Sequence, residues 1–375
     1  MKITFLLSST VHVRFIRRVE IINKLVDEIQ VYAFERKGSY PGKKIDFKIN
    51  TLGEITHVSY LRRFVLIVKS LNKIRRAVRK TNVVYTIGLD MLLLGWISKQ
   101  LSFRKNIKLI YEVGDIREIL IGNALINKLA RFFEKFLLRH VTVLVITSEG
   151  FYSGYFKQVQ KVKSLRYHVL ENKLYSDIIS VAQLQETTEK DNKEFTIGYF
   201  GVLRCKRTPK ILKMLAESSQ GKIKIYLRGL PGIKAKEEYD ELVGTEGVVN
   251  GGPYVVPDDL SALYNSVDMV WACCPYQGKE VGNCRWANAI RFYESCYFKK
   301  PVFVRKGTED CKTVEQYGIG ICLDLENIKE TVDYILSLSE NEISTWNKNM
   351  NELPEHIYMY SDEHEKLITL LTELK

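Results

Sequence analysis

The 375-residue chain contains no C-x-x-C pair and no H-E-x-x-H, so the usual signatures of a zinc site are missing. Its seven cysteines (Cys205, Cys273, Cys274, Cys284, Cys296, Cys311 and Cys322) are odd in number and all lie beyond residue 200. That argues against a disulfide framework and for a reducing, cytoplasmic compartment. No apolar run approaches the ~20 residues of a membrane span. FVLIV (64–68) is short, and GLDMLLLGWI (88–97) carries an acid. The opening MKITFLLSSTVHV lacks a small-residue cleavage site and runs straight into Arg14, Arg17 and Arg18, so it reads as a buried first strand rather than a signal peptide. Low-complexity tracts and internal repeats are also missing.

What is present is an ordinary globular composition, 46% hydrophobic and 27% charged, in a length suited to two domains of ~150–200 residues. The net charge of +12 is unevenly placed. Residues 1–180 hold 32 basic and 14 acidic side chains; residues 181–375 hold 24 and 30. A balance of +18 on one half points to an anionic partner: nucleic acid, a membrane surface or a phosphate-rich ligand. The alternative is a solvated basic surface.

Strand and helix signals alternate. Strands are expected at 2–7, 31–36, 83–87, 108–113 and 143–147, with amphipathic helices at 19–29, 59–80, 92–101 and 123–141. After a polar linker at 176–194 the pattern restarts, with strands at 195–201, 222–229, 247–252, 268–274 and 301–304 separated by helices and followed by a helical tail. Short apolar strands between amphipathic helices give an α/β chain of two doubly wound domains. Ligands in such folds sit at the carboxyl ends of the strands, so the strand-end loops are where the chemistry is expected.

Two such loops stand out. GVLRCKRTPK (201–210) sets Arg204, Lys206 and Arg207 before a helix, with Thr208 as the expected N-cap and Pro209 at the first helical position. Cations and helix-start amides together suit a diphosphate; a plain basic loop is the alternative. In GNCRWANAIRFYESCYFKKPVFV (282–304), Arg291 and Glu294 are spaced i, i+3 and share a helix face. A carboxylate there can accept both ribose hydroxyls, and an arginine can meet a phosphate; the alternative is a surface salt bridge.

IGYFGVLRCKR, GPYVVPDDLSALYNSVDMVWACCPY (252–276) and NCRWANAIRFYESCYFKKPVFV together resemble the C-terminal domain of family 4 glycosyltransferases of bacterial capsule, exopolysaccharide and O-antigen synthesis. YEVGDIREIL (111–120) and VITSEGFYSGYF (145–156) are more loosely similar to the family's first domain. The resemblance implies a GT-B fold of two Rossmann-like domains facing a cleft. It assigns 1–178 to the acceptor and 190–357 to the nucleotide sugar, with a helix at about 358–375 returning to the first domain. It places Glu294, before Lys300-Pro301-Val302, on the nucleotide ribose. Arg204, Lys206, Arg207 and Arg291 fall around the diphosphate. Gly201, Arg228, Tyr254, Val255, Gly282, Asn283 and Cys284 fall around the rest of the donor. The acceptor falls to Ser8, Ser9, His12, Arg14, Asp115 and Arg117, with Asp115 as a candidate base or hydroxyl contact. Departures are clear: the family's first glutamate is Trp286 here, a frequent asparagine is Ile290, and a frequent arginine is Val202.

No D-x-D occurs in the chain. Cationic side chains are therefore expected to carry the leaving-group charge, with no metal and no cofactor beyond the nucleotide-diphosphate sugar of UDP or GDP type. The acceptor implied is a polyprenyl-diphosphate-linked saccharide. The basic helix 59–80, with Arg62, Arg63, Lys69, Lys73, Arg75, Arg76, Arg79 and Lys80, is expected to lean on the inner face of an anionic membrane. The competing classes are a nucleotide-sugar 2-epimerase of the same fold and a nucleic-acid-binding protein. No motif supports the latter, and no nucleic-acid partner is expected.

Overall fold

Strands that are apolar on both faces need helices on both sides, and the computed structural model shows that arrangement twice. It describes residues 1–9, 13–36, 46–55, 60–176, 179, 194–276 and 282–374. The chain divides into two compact units, Met1–Glu171 with Asp362–Lys375, and Asn172–Ser361.

The first unit holds β1 (Lys2–Leu7), β2 (Glu28–Arg36), β3 (Ile49–Ile55), β4 (Val83–Ile87), β5 (Lys108–Val113), β6 (Val143–Ile146) and β7 (Tyr167–Val169). Their order is β3-β2-β1-β4-β5-β6-β7, with every pairing parallel. The connecting helices include α1 (Val13–Leu25), α2 (Tyr60–Val78), α3 (Leu89–Ser102) and α4 (Leu125–Leu138). Central strands β1 and β4 are buried along almost their whole length, which the apolar runs KITFLL and VVYTI dictate.

The second unit repeats the plan with β8 (Phe195–Phe200), β9 (Ile223–Arg228), β10 (Val248–Asn250), β11 (Met269–Trp271), β12 (Val302–Arg305) and β13 (Gly320–Leu323). The order is β10-β9-β8-β11-β12-β13, again parallel throughout. One apolar cluster gathers Phe200, Tyr264, Phe292 and Tyr293; the other gathers Ile197, Leu212, Trp271 and Phe303.

Several sequence expectations need correction. Helix α1 begins at Val13 and ends at Leu25, because Glu28 and Ile29 pair into β2 against Lys2 and Ile3. Edge strand β3 (INTLGEI) was not expected: its polar residues and Gly53 hide the strand signal. A π-helix, Phe151–Val159, follows β6, and β13 lies within the expected helical tail. The helix after β8 starts at Arg207, so Thr208 is buried inside its first turn rather than capping it, and Pro209 is its third residue rather than its first. Cys311 and Cys322 form a disulfide, with their Cα atoms 5.5 Å apart. Counting cysteines cannot see this pair, because the helix Glu309–Tyr317 returns its partner strand β13 alongside it.

The first unit's core contains charge. Arg18 and Glu112 are both buried and lie 3.2 Å apart. Tyr85 Oη donates to Glu112 at 2.6 Å, and Arg18 donates to Leu170 O at 3.3 Å. Such a pair is worth keeping only with its extra hydrogen bonds in place; breaking it by removing one partner costs about 3–5 kcal/mol. The helix Glu363–Glu373 packs on this region. His168 Nε2 lies 2.8 Å from Glu363 O, and Lys108 Nζ donates to Leu371 O at 2.6 Å. Burial, then the Arg18 charge, pushes His364 down to about 3; burial also lowers His168.

The folded value of His364 lies below its unfolded value of about 6.5. Its contribution to stability is therefore complete above that pH and is lost as pH falls toward 3, by about 1.4 kcal/mol per pH unit. The thermal midpoint is expected to drop through this window, and less steeply in His364→Gln. Parallel midpoint-versus-pH curves for the two proteins would refute the assignment.

Candidate active site

In the second unit the strand order reverses between β8 and β11, the point at which doubly wound sheets open a crevice. Arg291, from the helix Ile290–Tyr297, spans it. Nη1 donates to Phe200 O at the end of β8 (3.0 Å), and Nη2 donates to Cys273 O beyond β11 (3.4 Å). Its guanidinium lies 4.3 Å over the Tyr199 ring. Gly201 follows β8 at φ +117°; a Cβ there would sit 3.9 Å from Arg291 Nη1 and 4.0 Å from Tyr254 Oη. Gly201, Tyr254 and Arg291 thus converge on one spot.

Glu294 stands one turn on, buried, accepting from Tyr264 Oη at 2.7 Å. Tyr264 is fixed by stacking on Phe298 (4.9 Å) and by an edge contact with Phe200 (4.9 Å). Burial pushes the Glu294 carboxyl up, while the Tyr264 hydroxyl and the Arg291 charge pull it down. Tyr254 is pushed up to about 12 by burial and then by the Glu294 charge. The sequence did not single out Tyr264, whose role as the partner of Glu294 depends on a residue 30 positions away. Asp310 was likewise missed: buried, it accepts from Ala289 N at 3.3 and 3.2 Å and so anchors the start of the Arg291 helix.

The three loop cations do not share one arrangement. Arg204 is exposed and has no ion-pair partner among the described residues. Lys206 pairs with Glu238 at 3.0 Å. Arg207 stacks on Tyr276 (4.1 Å), which also carries Arg305 on its ring (4.7 Å), and donates to Leu325 O (2.7 Å) and Glu326 O. Arg228 supports the loop 251–259, donating to Gly252 O, Pro253 O and Asp259 (3.2, 2.8 and 3.4 Å). Asp259 in turn accepts from Val255 N at 2.8 Å, leaving the Val255 side chain exposed. Gly282 precedes the single helical turn Asn283–Trp286; the Cys274 thiol donates to Cys284 O at 2.6 Å, and Trp286 is buried.

In the first unit the corresponding reversal lies between β1 and β4. A pocket there is lined by Ser8, Gly88, Asp115 and Arg117, among others. Arg14 pairs with Asp115 at 2.8 Å. Asp90, missed in the sequence, holds both Arg117 (3.2 Å) and Arg63 (2.5 Å), and Arg63 also donates to Ser8 O at 2.9 Å. Arg63 therefore faces the pocket and not the outer surface of α2, contrary to its expected place in a membrane-facing cluster. Ser9 is buried. His12 and the side chain of Arg62 lie outside the described residues.

Tyr264→Phe removes the donor to a buried carboxylate. It is expected to destabilise the second unit by about 1.5–3 kcal/mol, the range for a hydrogen bond to a charged group. Unchanged denaturant unfolding would show that Tyr264 does not hold Glu294.

No family model matches the chain. The succinoglycan biosynthesis protein ExoL of Rhizobium meliloti (strain 1021) is 25% identical over 314 residues, covering 82% of this chain and 77% of that protein. Among solved structures, Anabaena HepE in complex with UDP matches with a TM-score of 0.72 at 14% identity, covering 100% of both chains. WaaG, a glycosyltransferase involved in lipopolysaccharide biosynthesis, matches with a TM-score of 0.66 at 14% identity, covering 99% of this chain and 100% of that one. The structural likenesses show the GT-B fold of two Rossmann-like domains. The fold, the sequence motifs of the second unit and the succinoglycan relative agree in one direction: the chain is similar to glycosyltransferases of the family 4 type.

Proposed function

We propose that the protein moves a sugar from a UDP- or GDP-type nucleotide sugar to a polyprenyl-diphosphate-linked saccharide in bacterial surface polysaccharide synthesis, with retention and without a metal. The observation that carries this reading is the convergence of Gly201, Tyr254 and Arg291 at the β8/β11 reversal, with Glu294 on the same helix. HepE, of the same fold, is known in complex with UDP and with UDP-glucose, which supports a nucleotide-sugar donor. ExoL, by its name a succinoglycan biosynthesis protein, supports the polysaccharide context.

Glycosyl transfer breaks the bond between anomeric carbon and phosphate through an oxocarbenium-like state. The protein's tasks are to hold the partners together and to neutralise the departing diphosphate. Glu294, buried and oriented by Tyr264, accepts from the ribose hydroxyls. Arg291 keeps its charge fixed at the strand ends, so little reorganisation is needed when the leaving group develops charge. Arg204 extends from the loop after β8 into solvent, and Lys206, itself exposed, can turn from the buried Glu238 to a phosphate oxygen while Lys210 (3.8 Å) stays by that carboxylate. Arg207 braces that loop through Leu325 O, Glu326 O and Tyr276 and adds positive potential. Val255, Gly282, Asn283 and Cys284 line the donor's remaining edge. On the acceptor side, Ser8, Arg14, Asp115 and Arg117 surround the β1/β4 pocket, and Asp115 meets the acceptor hydroxyl. The missing D-x-D supports metal independence.

Glu294→Gln keeps an acceptor for Tyr264 but removes the charge that two ribose hydroxyls would share. Donor affinity, measured by calorimetry with UDP- and GDP-sugars, is expected to fall at least about tenfold, matching the loss of a charge-assisted contact. Wild-type affinity in this variant would remove Glu294 from the donor site.

A further inference from the structure

Helix α4 is turned inside out for a soluble protein. Its one carboxylate, Glu134, is fully buried, held by Tyr111 Oη (3.2 Å), Tyr155 Oη and Gln160 Nε2. Its apolar residues Leu125, Ile126, Leu129, Phe132, Phe133 and Phe136 recur at spacings of three and four, and all are exposed, Leu125 by 74% and Phe132 by 73%. The rotation of the helix is fixed. Arg131 donates to Leu120 O and Gly122 O (3.0 and 2.7 Å), and Lys135 donates to Gln160 O and Lys161 O (3.1 and 3.2 Å). These bonds hold the phenylalanines outward. A contiguous exposed stripe of this kind on a water-soluble surface marks an interaction site.

Charge decides what covers it. Lys128 and Arg139 are exposed on the same helix, which shows no exposed acid. Helix α3 packs against both α2 and α4, and α2 adds exposed Phe64, Val65 and Val68 beside Lys69. Phe103, 84% exposed at the end of α3, is followed by exposed Arg104 and Lys105. Two copies pressed face to face would bring like cations together. An anionic bilayer satisfies both parts, with apolar side chains below the headgroups and cations among them.

We infer that α4 is the membrane-docking element of this protein. It lies in the interface of an anionic bilayer with Leu125, Leu129, Phe132 and Phe136 inserted, while α2 plays a secondary part. The loop that carries Asp115 and Arg117 leads directly into α4, so docking holds the acceptor pocket at the lipid surface. This last consequence rests on the lipid-linked acceptor proposed above.

The test is flotation of the full chain with phosphatidylcholine vesicles, with and without phosphatidylglycerol, alongside calorimetry with the donor nucleotide sugar. Wild type is expected to float only with phosphatidylglycerol present. Leu129→Ser/Phe132→Ser is expected to lose flotation at least about tenfold, and Lys128→Gln/Arg139→Gln to lose it chiefly at low salt, where those charges are unscreened. Lys69→Gln/Arg76→Gln on α2 is expected to change it less than about twofold. Circular dichroism and donor affinity should stay at wild-type values in all three variants. No flotation of wild type, or undiminished flotation of Leu129→Ser/Phe132→Ser, overturns the inference. So does a dimer in sedimentation that this double variant dissociates. Donor binding retained in those cases leaves the glycosyltransferase reading standing, whereas no donor binding by wild type would fail that reading and not this one.

Discussion

One guanidinium organises the second unit. By donating to carbonyls at the ends of both β8 and β11, Arg291 closes the gap that the reversal of strand order opens in a parallel sheet. Both carbonyls lie at or just beyond strand ends, where a charged donor fixed by two acceptors ties the strand ends to the helix. The same bonds fix the helix that carries Glu294, and Asp310 fixes the start of that helix from the other side. Glycine at 201 and 229 then becomes a requirement. Both adopt positive φ, and a Cβ at Gly229 would collide with the carbonyl of Gly201.

Much of this half was legible in the sequence because its determinants are local. Arg291 and Glu294 lie one helical turn apart, and Gly201 sits at a strand end announced by the apolar run before it. What stayed hidden depends on distant partners. Arg207 bonds carbonyls more than a hundred residues away, at Leu325 and Glu326, and Lys206 finds its partner in Glu238. A row of cations in one loop therefore read as a single cradle when each has a different environment. Tyr264 drew no notice in the sequence, yet its hydroxyl is what orients Glu294.

The first half was legible in outline and wrong in emphasis. Its charge surplus drew attention to residues 62–80, on and just beyond α2, where eight basic residues fall close together. Folding redistributes them: Arg63 turns to Asp90 and Ser8, and Lys73 to Thr51 O. Counting charge along a helix does not show which residues the sheet will claim. The α4 sequence, ordinary as an amphipathic pattern, gave no hint that Glu134 would face inward, since three partners for that carboxylate come from β5 and from beyond β6. Edge strand β3 escaped for a related reason: an edge needs only one buried face, and INTLGEI supplies little more.

The helix Glu363–Glu373 belongs to the first unit although the whole second unit precedes it in the chain. The first unit is therefore complete only after the whole second unit has been synthesised, and the region around Arg18 and His364 gains its cover late. A fragment cut after residue 171 would be missing part of its own core rather than merely a tail.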